Sequence, residues 1–303
     1  MPELILHQYP QSHFAEKIRR ILAYKKVPWR AVEQPFMMPK PDLLPLTGGN
    51  RRIPVLQIGA DIYCDSALIA RHIEALHPTP VCIAAEHAGL IGIIEAWAAQ
   101  VLMFQALSPT FVELMPYLPP EFLVDRAAMS PRLSKDAIVS GAPHALDQAG
   151  MSLDYLDAQL RARPYLLGQT FSLADACCFF PLWLFKNSPV LFAHIEARPS
   201  VAAWFARIEA CGPGEVVPMD APEALAIARD AEPATLSDAG GIRVNDIGVG
   251  DEVAVTADDY GDEESCGTVT RLTAQVISIR RTDPALGNLA VHFPRAGYRL
   301  KKL

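Results

Sequence analysis

Residues 53–66 read IPVLQIGADIYCDS. Ile53 to Ile58 is an apolar run with a proline near its start, where a strand tolerates the missing N–H. Gly59-Ala60-Asp61 supplies a turn, and Ile62-Tyr63-Cys64 returns as a short antiparallel strand. Asp65-Ser66 then opens a helix that runs to about Leu76 and stops before Pro78. A β-β-α unit therefore ends the first quarter of the chain.

Upstream, residues 4–8 (LILHQ) read as a short buried strand. Between Ala15 and Lys26, Ile18, Ile21, Leu22 and Tyr24 fall close to helical spacing, with charges between them. Val27 to Val32 suits a second strand, and a crossover this short normally joins parallel strands of one sheet. The stretch from Gln34 to Pro45, rich in proline and followed by Gly48-Gly49, cannot hold a long regular helix. The order β-α-β, loop, β-β-α is the thioredoxin-like arrangement.

Downstream, residues 79–87 read as a linker. Ile94, Trp97, Val101 and Phe104 mark a helix from Leu90 to about Leu107, and Ser108-Pro109 and Pro116 to Pro120 break the stretch beyond it. Further helices are expected over Gly141–Leu160, Leu173–Phe185, Val201–Cys211 and Ala221–Ala231. After Pro233 the texture changes to short β-runs: Glu252–Thr256, Gly267–Leu272, Gln275–Arg280 and Leu289–Phe293. These suggest a small SH3-like β-barrel. The expected domains are thus 1–78 (thioredoxin-like), 88–232 (all-helical) and 233–303 (β-barrel).

The 303 residues are half hydrophobic and one-fifth charged, which excludes wholesale disorder. A net charge of -7 argues against a nucleic-acid partner or an anionic membrane, both of which favour basic surfaces. The N-terminal MPELILHQYPQSHF lacks the basic-then-apolar pattern of a signal peptide. Apolar runs such as Ala176 to Phe185 are far short of a bilayer span. A cytoplasmic protein without a membrane partner is expected. Six cysteines show no CxxC and no zinc spacing, so buried free thiols and no metal are expected.

Three segments carry a resemblance. They are Ser12-His13-Phe14-Ala15-Glu16-Lys17-Ile18-Arg19; Arg52-Ile53-Pro54-Val55-Leu56 followed by Asp65-Ser66; and Phe171-Ser172-Leu173-Ala174-Asp175. In this order and at these separations the chain resembles the glutathione transferase superfamily over about residues 3–212, leaving the C-terminal β-region uncovered. The resemblance implies the glutathione transferase fold, with an α/β thioredoxin-like domain followed by an all-α domain. It also implies glutathione as cosubstrate, a small hydrophobic electrophile as acceptor, and a homodimer unless the added domain alters the usual interface.

It further implies roles for individual residues. Ser12, at the N-terminus of the first helix, would donate to the glutathione thiolate. A free thiol of pKa about 8.5 needs a shift of about 1.5 units, or roughly 2 kcal/mol, to be half ionised at pH 7. A charge-assisted hydrogen bond supplies about 1.5–3 kcal/mol and a helix N-terminus about 0.3–1, so a serine suffices. Ser12 could equally be a plain helix cap, and Tyr9 is an alternative donor. With no cysteine at position 12, disulfide exchange there is not expected. Pro54 would be a cis-proline that turns the Val55 backbone toward the peptide part of glutathione. Asp65 and Ser66 would hold the γ-glutamyl end, and Arg51 or Arg52 could meet the glycine carboxylate. Ser172 and Asp175 form a capping box with a folding role. Trp97, Val101 and Phe104 could line an acceptor pocket or be core. The alternative class is a non-catalytic scaffold that keeps the fold and uses its C-terminal barrel to hold a partner.

Overall fold

Strand β1 (Ile5–Gln8), helix α1 (His13–Lys25) and strand β2 (Trp29–Glu33) form the expected βαβ unit, with β1 and β2 parallel. The computed structural model describes residues 2–234 and 241–303, so part of the expected start of the third domain, at 235–240, lies outside the described residues. The proline-rich stretch holds only the single turn α2 (Leu44–Thr47). Strands β3 (Val55–Ile58) and β4 (Asp61–Cys64) form the antiparallel pair, and α3 (Ser66–Leu76) comes at once after them.

The helical region comprises α4 (Ala88–Trp97), α5 (Met103–Leu114), α6 (Pro120–Met129), α7 (Lys135–Leu160), α8 (Leu173–Trp183), α9 (Pro189–Glu196) and α10 (Pro199–Glu209). The chain then makes β5 (Val216–Met219) and α11 (Ala221–Arg229). It ends in five strands: β6 (Glu252–Ala257), β7 (Ser265–Leu272), β8 (Val276–Asp283), β9 (Gly287–Pro294) and β10 (Tyr298–Lys302).

Two compact units result. One contains Met1–Ala15, Pro28–Ile69 and Glu215–Leu303. Its strands form a sheet in the order β10-β6-β7-β8-β9-β4-β3-β1-β2-β5. The C-terminal strands are joined to the thioredoxin-like ones by the parallel pair β4·β9, in register Asp61↔Ala290 to Tyr63↔His292. One apolar core spans that seam, burying Val55, Ile62 and Leu46 with Val255, Val291 and Phe293. Each such side chain contributes about 1.5–3 kcal/mol. Polar groups close the seam: the His292 imidazole bonds Asp61 at 3.0 Å and Ser278 at 2.8 Å, and its ring stacks on Tyr63 at 4.5 Å.

The other unit contains Glu16–Val27 and Ala70–Gly214. Within it the Glu95 carboxylate takes Lys17 at 2.7 Å and Arg71 at 2.6 Å. Burial would raise the Glu95 pKa, but these two cations hold it down at about 2. Asp175, fully buried, accepts from the Ser172 backbone (2.8 Å), the Leu166 backbone (2.8 Å) and the Trp204 indole (2.9 Å). The capping box is therefore a packing hub, as its folding role requires.

Several expectations fail for identifiable reasons. Helix α5 runs through Ser108-Pro109, because burial of Met103, Ala106, Leu107 and Phe111 on one face outweighs the lost backbone bond. Pro120, read as part of a break, instead starts a helix, as do Pro189 and Pro199: all three occupy first-turn positions, where a missing N–H costs nothing. Ser134 caps α7, which begins six residues before Gly141. Strands β5 and β10 were not anticipated; one contains Pro218 and the other is mostly charged.

A π-turn at Ala98–Leu102 shifts the helical phase, so Trp97 and Phe104 are half-buried and Val101 is exposed while Ala98 and Leu102 are buried. Of the three, Val101 is therefore not core. The helical stretch Ala85–Tyr117 is also long and apolar enough to cross a membrane by length and composition, which counting uninterrupted apolar runs did not register. All six cysteines are free; Cys64, Cys82, Cys177 and Cys178 are buried, but Cys211 and Cys266 are exposed, contrary to expectation.

Two buried polar groups make stability testable. Asp175→Ala leaves four donors, the Ser172 hydroxyl included, without their acceptor and lowers stability by about 2–4 kcal/mol, measurable by urea unfolding. His7, wholly buried between Gln57 (2.8 Å) and Gln34 (3.2 Å), is pushed by burial down to about 4. The unfolded chain, titrating near 6.5, takes up this proton first. Stability from His7 is complete above about pH 6.5 and falls by roughly 3 kcal/mol as pH drops to about 4. His7→Gln flattens that slope in unfolding measured across pH 4–7.

Candidate functional site

The sheet topology brings the sequence-selected residues to one end. Strand β1 finishes at Gln8, β3 runs antiparallel to it and begins at Val55, and β4 runs back to finish at Cys64. The Tyr9–Ser12 turn, Ile53-Pro54 and Asp65-Ser66 are therefore at the same edge. The Ile53–Pro54 peptide is cis, as the sequence suggested.

Ser12 is buried and caps α1: its hydroxyl accepts from the Ala15 N–H at 3.2 Å, and its own N–H donates to Tyr9 O at 3.0 Å. A hydroxyl that accepts at a cap still carries a proton to donate. Tyr9 is half-buried beside it, with the Phe36 ring 6.4 Å away and the Lys40 ammonium 5.4 Å from its own ring centre. Lys40, itself buried and donating to Pro35 O, is a cation at this end that sequence reading passed over.

Asp65 has φ +76, a left-handed conformation that aspartate tolerates better than most residues. Its carboxylate accepts from the Ala67 N–H at 2.7 Å and its carbonyl from Ile69 at 3.0 Å, so it caps α3. Ser66, first residue of that helix, is buried. Val55 stands in both ladders, opposite His7 on one side and Cys64 on the other. Ile53 lies before the first paired residue of β3.

The C-terminal strands reach the same end. Because β9 is parallel to β4, its finish, the start of β10 at Tyr298 and the β6–β7 loop all lie there. Tyr298 Oη donates to Asp65 Oδ2 at 3.4 Å. Burial pushes the Tyr298 phenol far above its ordinary pKa, and the Asp65 charge adds to this, so it stays a donor. The Arg52 guanidinium pairs with Asp259 at 2.8 Å, donates to Tyr260 O and lies 4.0 Å from the Tyr260 ring centre. Burial disfavours its charge, yet Tyr260 and Asp259 outweigh that and raise its pKa. Arg51 faces Glu263 at 3.8 Å. Sequence reading missed Asp259, Glu263 and Tyr298; only the acidic run from Asp258 to Glu264 hinted at them.

Gly48 and Gly49 are explained by the same approach. Gly49 has φ +137, and a Cβ there would stand 2.3 Å from the Glu264 carbonyl oxygen. Ser265 Oγ donates to Thr47 O at 2.9 Å, and Arg281 donates to Pro45 O. The loop is glycine-rich where backbone meets backbone.

Models of the N-terminal and C-terminal domains of glutathione S-transferase match residues 6–81 and 96–207. A GST-like protein from Pseudomonas syringae is 35% identical, with all of both chains covered and a TM-score of 0.83. The chain belongs to the glutathione transferase superfamily. Two more distant structures share the fold. Poplar glutathione transferase F1 is 15% identical, with 76% of this chain and 100% of that one covered and a TM-score of 0.56. Glutathione S-transferase-I bound with lactoylglutathione is 18% identical, with 75% and 99% covered and a TM-score of 0.53. A search among curated proteins finds no match. The Pseudomonas relative is matched over its entire length, so the β-rich C-terminal strands are common to both chains.

Gly49→Ala lowers stability by about 2–4 kcal/mol, since it combines a strained φ with a backbone clash. Gly141→Ala, in α7 with nothing near its added methyl, raises stability by about 0.5–1 kcal/mol. Chemical denaturation of both variants checks the contrast.

Proposed function

We propose that this protein binds glutathione at the sheet end defined by Ser12, Ile53-Pro54 and Asp65-Ser66, and activates its thiolate toward a small hydrophobic electrophile. One observation carries the reading: two helix-capping positions, buried Ser12 and half-buried Asp65 with buried Ser66 beside it, flank the start of β3, where Ile53 stands outside the ladder. The γ-glutamyl carboxylate would take the N–H groups at the start of α3 and the Ser66 hydroxyl, with Asp65 beside the amino group. The thiolate would lie at the α1 N-terminus, receiving the Ser12 hydroxyl proton in a hydrogen bond.

We place the peptide pairing at Ile53, on the other side of Pro54 from the Val55 that the sequence suggested, since Val55 is flanked by strands on both sides. Pro54 would shape that edge. The acceptor would be attacked by the sulfur directly, with proximity and thiol ionisation as the protein's contributions. No step calls for a metal or a nucleotide.

A cytoplasmic homodimer completes the proposal. Leu90 and Ile93 of α4 and Val101 of the π-turn after it are exposed, an apolar surface that a second copy would cover. For the C-terminal strands, the order β10-β6-β7-β8-β9, with the last strand returning beside the first, supports the SH3-like reading.

Calorimetry tests the binding. Native protein takes up glutathione with micromolar to millimolar affinity, and Asp65→Ala abolishes it. Ser12→Ala retains binding but lowers kcat/KM with a model electrophile about 10- to 100-fold, the worth of one charge-assisted hydrogen bond. No heat from folded native protein sinks the reading.

A further inference from the structure

We infer that Tyr298, the first residue of β10, is a positioning residue for this site: its phenol fixes the plane of the Asp65 carboxylate, which receives the ligand's amino group. The C-terminal strands thereby complete a binding site whose other parts come from the thioredoxin-like strands and helices. The inference rests on the glutathione reading above.

Asp65 has φ +76, and its backbone carbonyl accepts from the Ile69 N–H at 3.0 Å. The main chain is thus settled, but a carboxylate still turns about its last torsion, which is broad and roughly twofold. The Ala67 N–H bonds Oδ1 at 2.7 Å and fixes one oxygen. A donor on the other oxygen sets the plane. Tyr298 Oη supplies it, 3.4 Å from Oδ2. That is long for a hydroxyl on a carboxylate, and bonds of this kind in ligand-free sites tighten when the ligand arrives.

The phenol is itself held in place. Tyr298 is 5% exposed, its ring lies 5.2 Å from that of Phe293, and its backbone pairs with Ala257. Arg295 donates to its carbonyl at 3.1 Å. The turn before it closes through Gly297, at φ +81, whose carbonyl accepts from the Asp258 N–H at 3.0 Å. A close-packed ring on a paired strand has few other orientations. Asp65 and Tyr298 belong to the same compact unit.

The chemistry of the donor suits the task. A lysine or arginine at this place would pair with Asp65 and compete with the ligand's ammonium. A neutral phenol orients the carboxylate and leaves its charge intact. Burial, with the Asp65 charge adding to it, keeps the Tyr298 proton on its oxygen. A carboxylate has about four acceptor positions, so bonds from Ala67 and Tyr298 are compatible with one from an ammonium. The incoming amino group then meets an oxygen whose direction was set before binding, which removes part of the cost of ordering.

Calorimetry on the full chain tests this with two ligands: glutathione, and glutaryl-cysteinyl-glycine, which is glutathione without its α-amino group. Native protein binds glutathione about tenfold or more tightly than the deamino analogue. Tyr298→Phe removes one oxygen and keeps the buried ring. It weakens glutathione about 3- to 10-fold and changes the analogue by less than about twofold. In a conjugation assay the same variant raises KM for glutathione about 3- to 10-fold and holds kcat within about twofold. Tyr298→4-aminophenylalanine, whose N–H donates where the hydroxyl did, restores native binding. In native protein carrying isotope-labelled tyrosine, the Tyr298 resonance moves on adding glutathione and stays on adding the analogue.

Equal weakening of both ligands by Tyr298→Phe shows a purely structural role and overturns the inference. So does a glutathione affinity in that variant equal to the native one, or a Tyr298 resonance indifferent to glutathione. Each of these results leaves the glutathione reading standing. Native protein that binds both ligands alike also overturns the inference, since Asp65 then holds no amino group. Folded native protein that binds neither ligand overturns the glutathione reading and the inference together.

Discussion

A β-strand at the margin of a sheet presents a row of N–H and C=O groups that must find partners in water or in another chain. In the four-stranded arrangement β2-β1-β3-β4, that margin would be β4, the strand whose end delivers Asp65. Here β9 fills it, in parallel, with Ala290 N–H bonded to Ala60 O at 3.1 Å and His292 clasped between Asp61 and Ser278. Nearly everything distinctive about the molecule depends on this pairing. It merges two apolar cores into one and fixes the direction of the C-terminal strands. It thereby decides which of their loops come to the end of the sheet where Ser12 and Asp65 sit.

The polar chemistry is a consequence of that placement. Asp65 has a capping bond on one oxygen and a buried phenol on the other, so its carboxylate is held from two sides. Arg52 is sandwiched between a carboxylate, a carbonyl and an aromatic face contributed by residues more than two hundred positions later. Residues that in the sequence look like a ligand's counter-ions are thus already part of the protein's internal charge balance. A guanidinium so held is well ordered, and the same contacts that order it reduce what it can offer to an incoming anion.

Much of this was legible in the sequence, and the rest was hidden for physical reasons. The run from Ile53 to Ser66 reveals two strands, a turn and a helix start because turn glycine, strand proline and cap residues all act locally. Ser12 and Asp65-Ser66 were visible as caps for the same reason. The sequence pointed to Val55 because the run of apolar residues shows where a strand lies but not which residue first finds partners. Pro120 misled because proline both ends and begins helices, and the difference depends on neighbours along the chain. The seam and its consequences were not legible at all. Nothing in DDYGDEE says it faces Arg51-Arg52, and Gly48-Gly49 looks like any flexible turn until Glu264 stands against it.

The seam also bears on how the molecule comes off the ribosome. Asp61 and its partner Ala290 are separated by 229 residues, so β4 emerges long before the strand that covers it. At typical synthesis speeds that interval is roughly 10–50 s, far longer than the microseconds to milliseconds in which local hairpins and helices form. During it the nascent chain carries an open strand margin ending in Tyr63 and Cys64, on a core still missing most of its apolar partners. Such a margin invites pairing with any other extended chain. Timely arrival of the C-terminal strands is therefore part of what keeps this protein from aggregating in the cell.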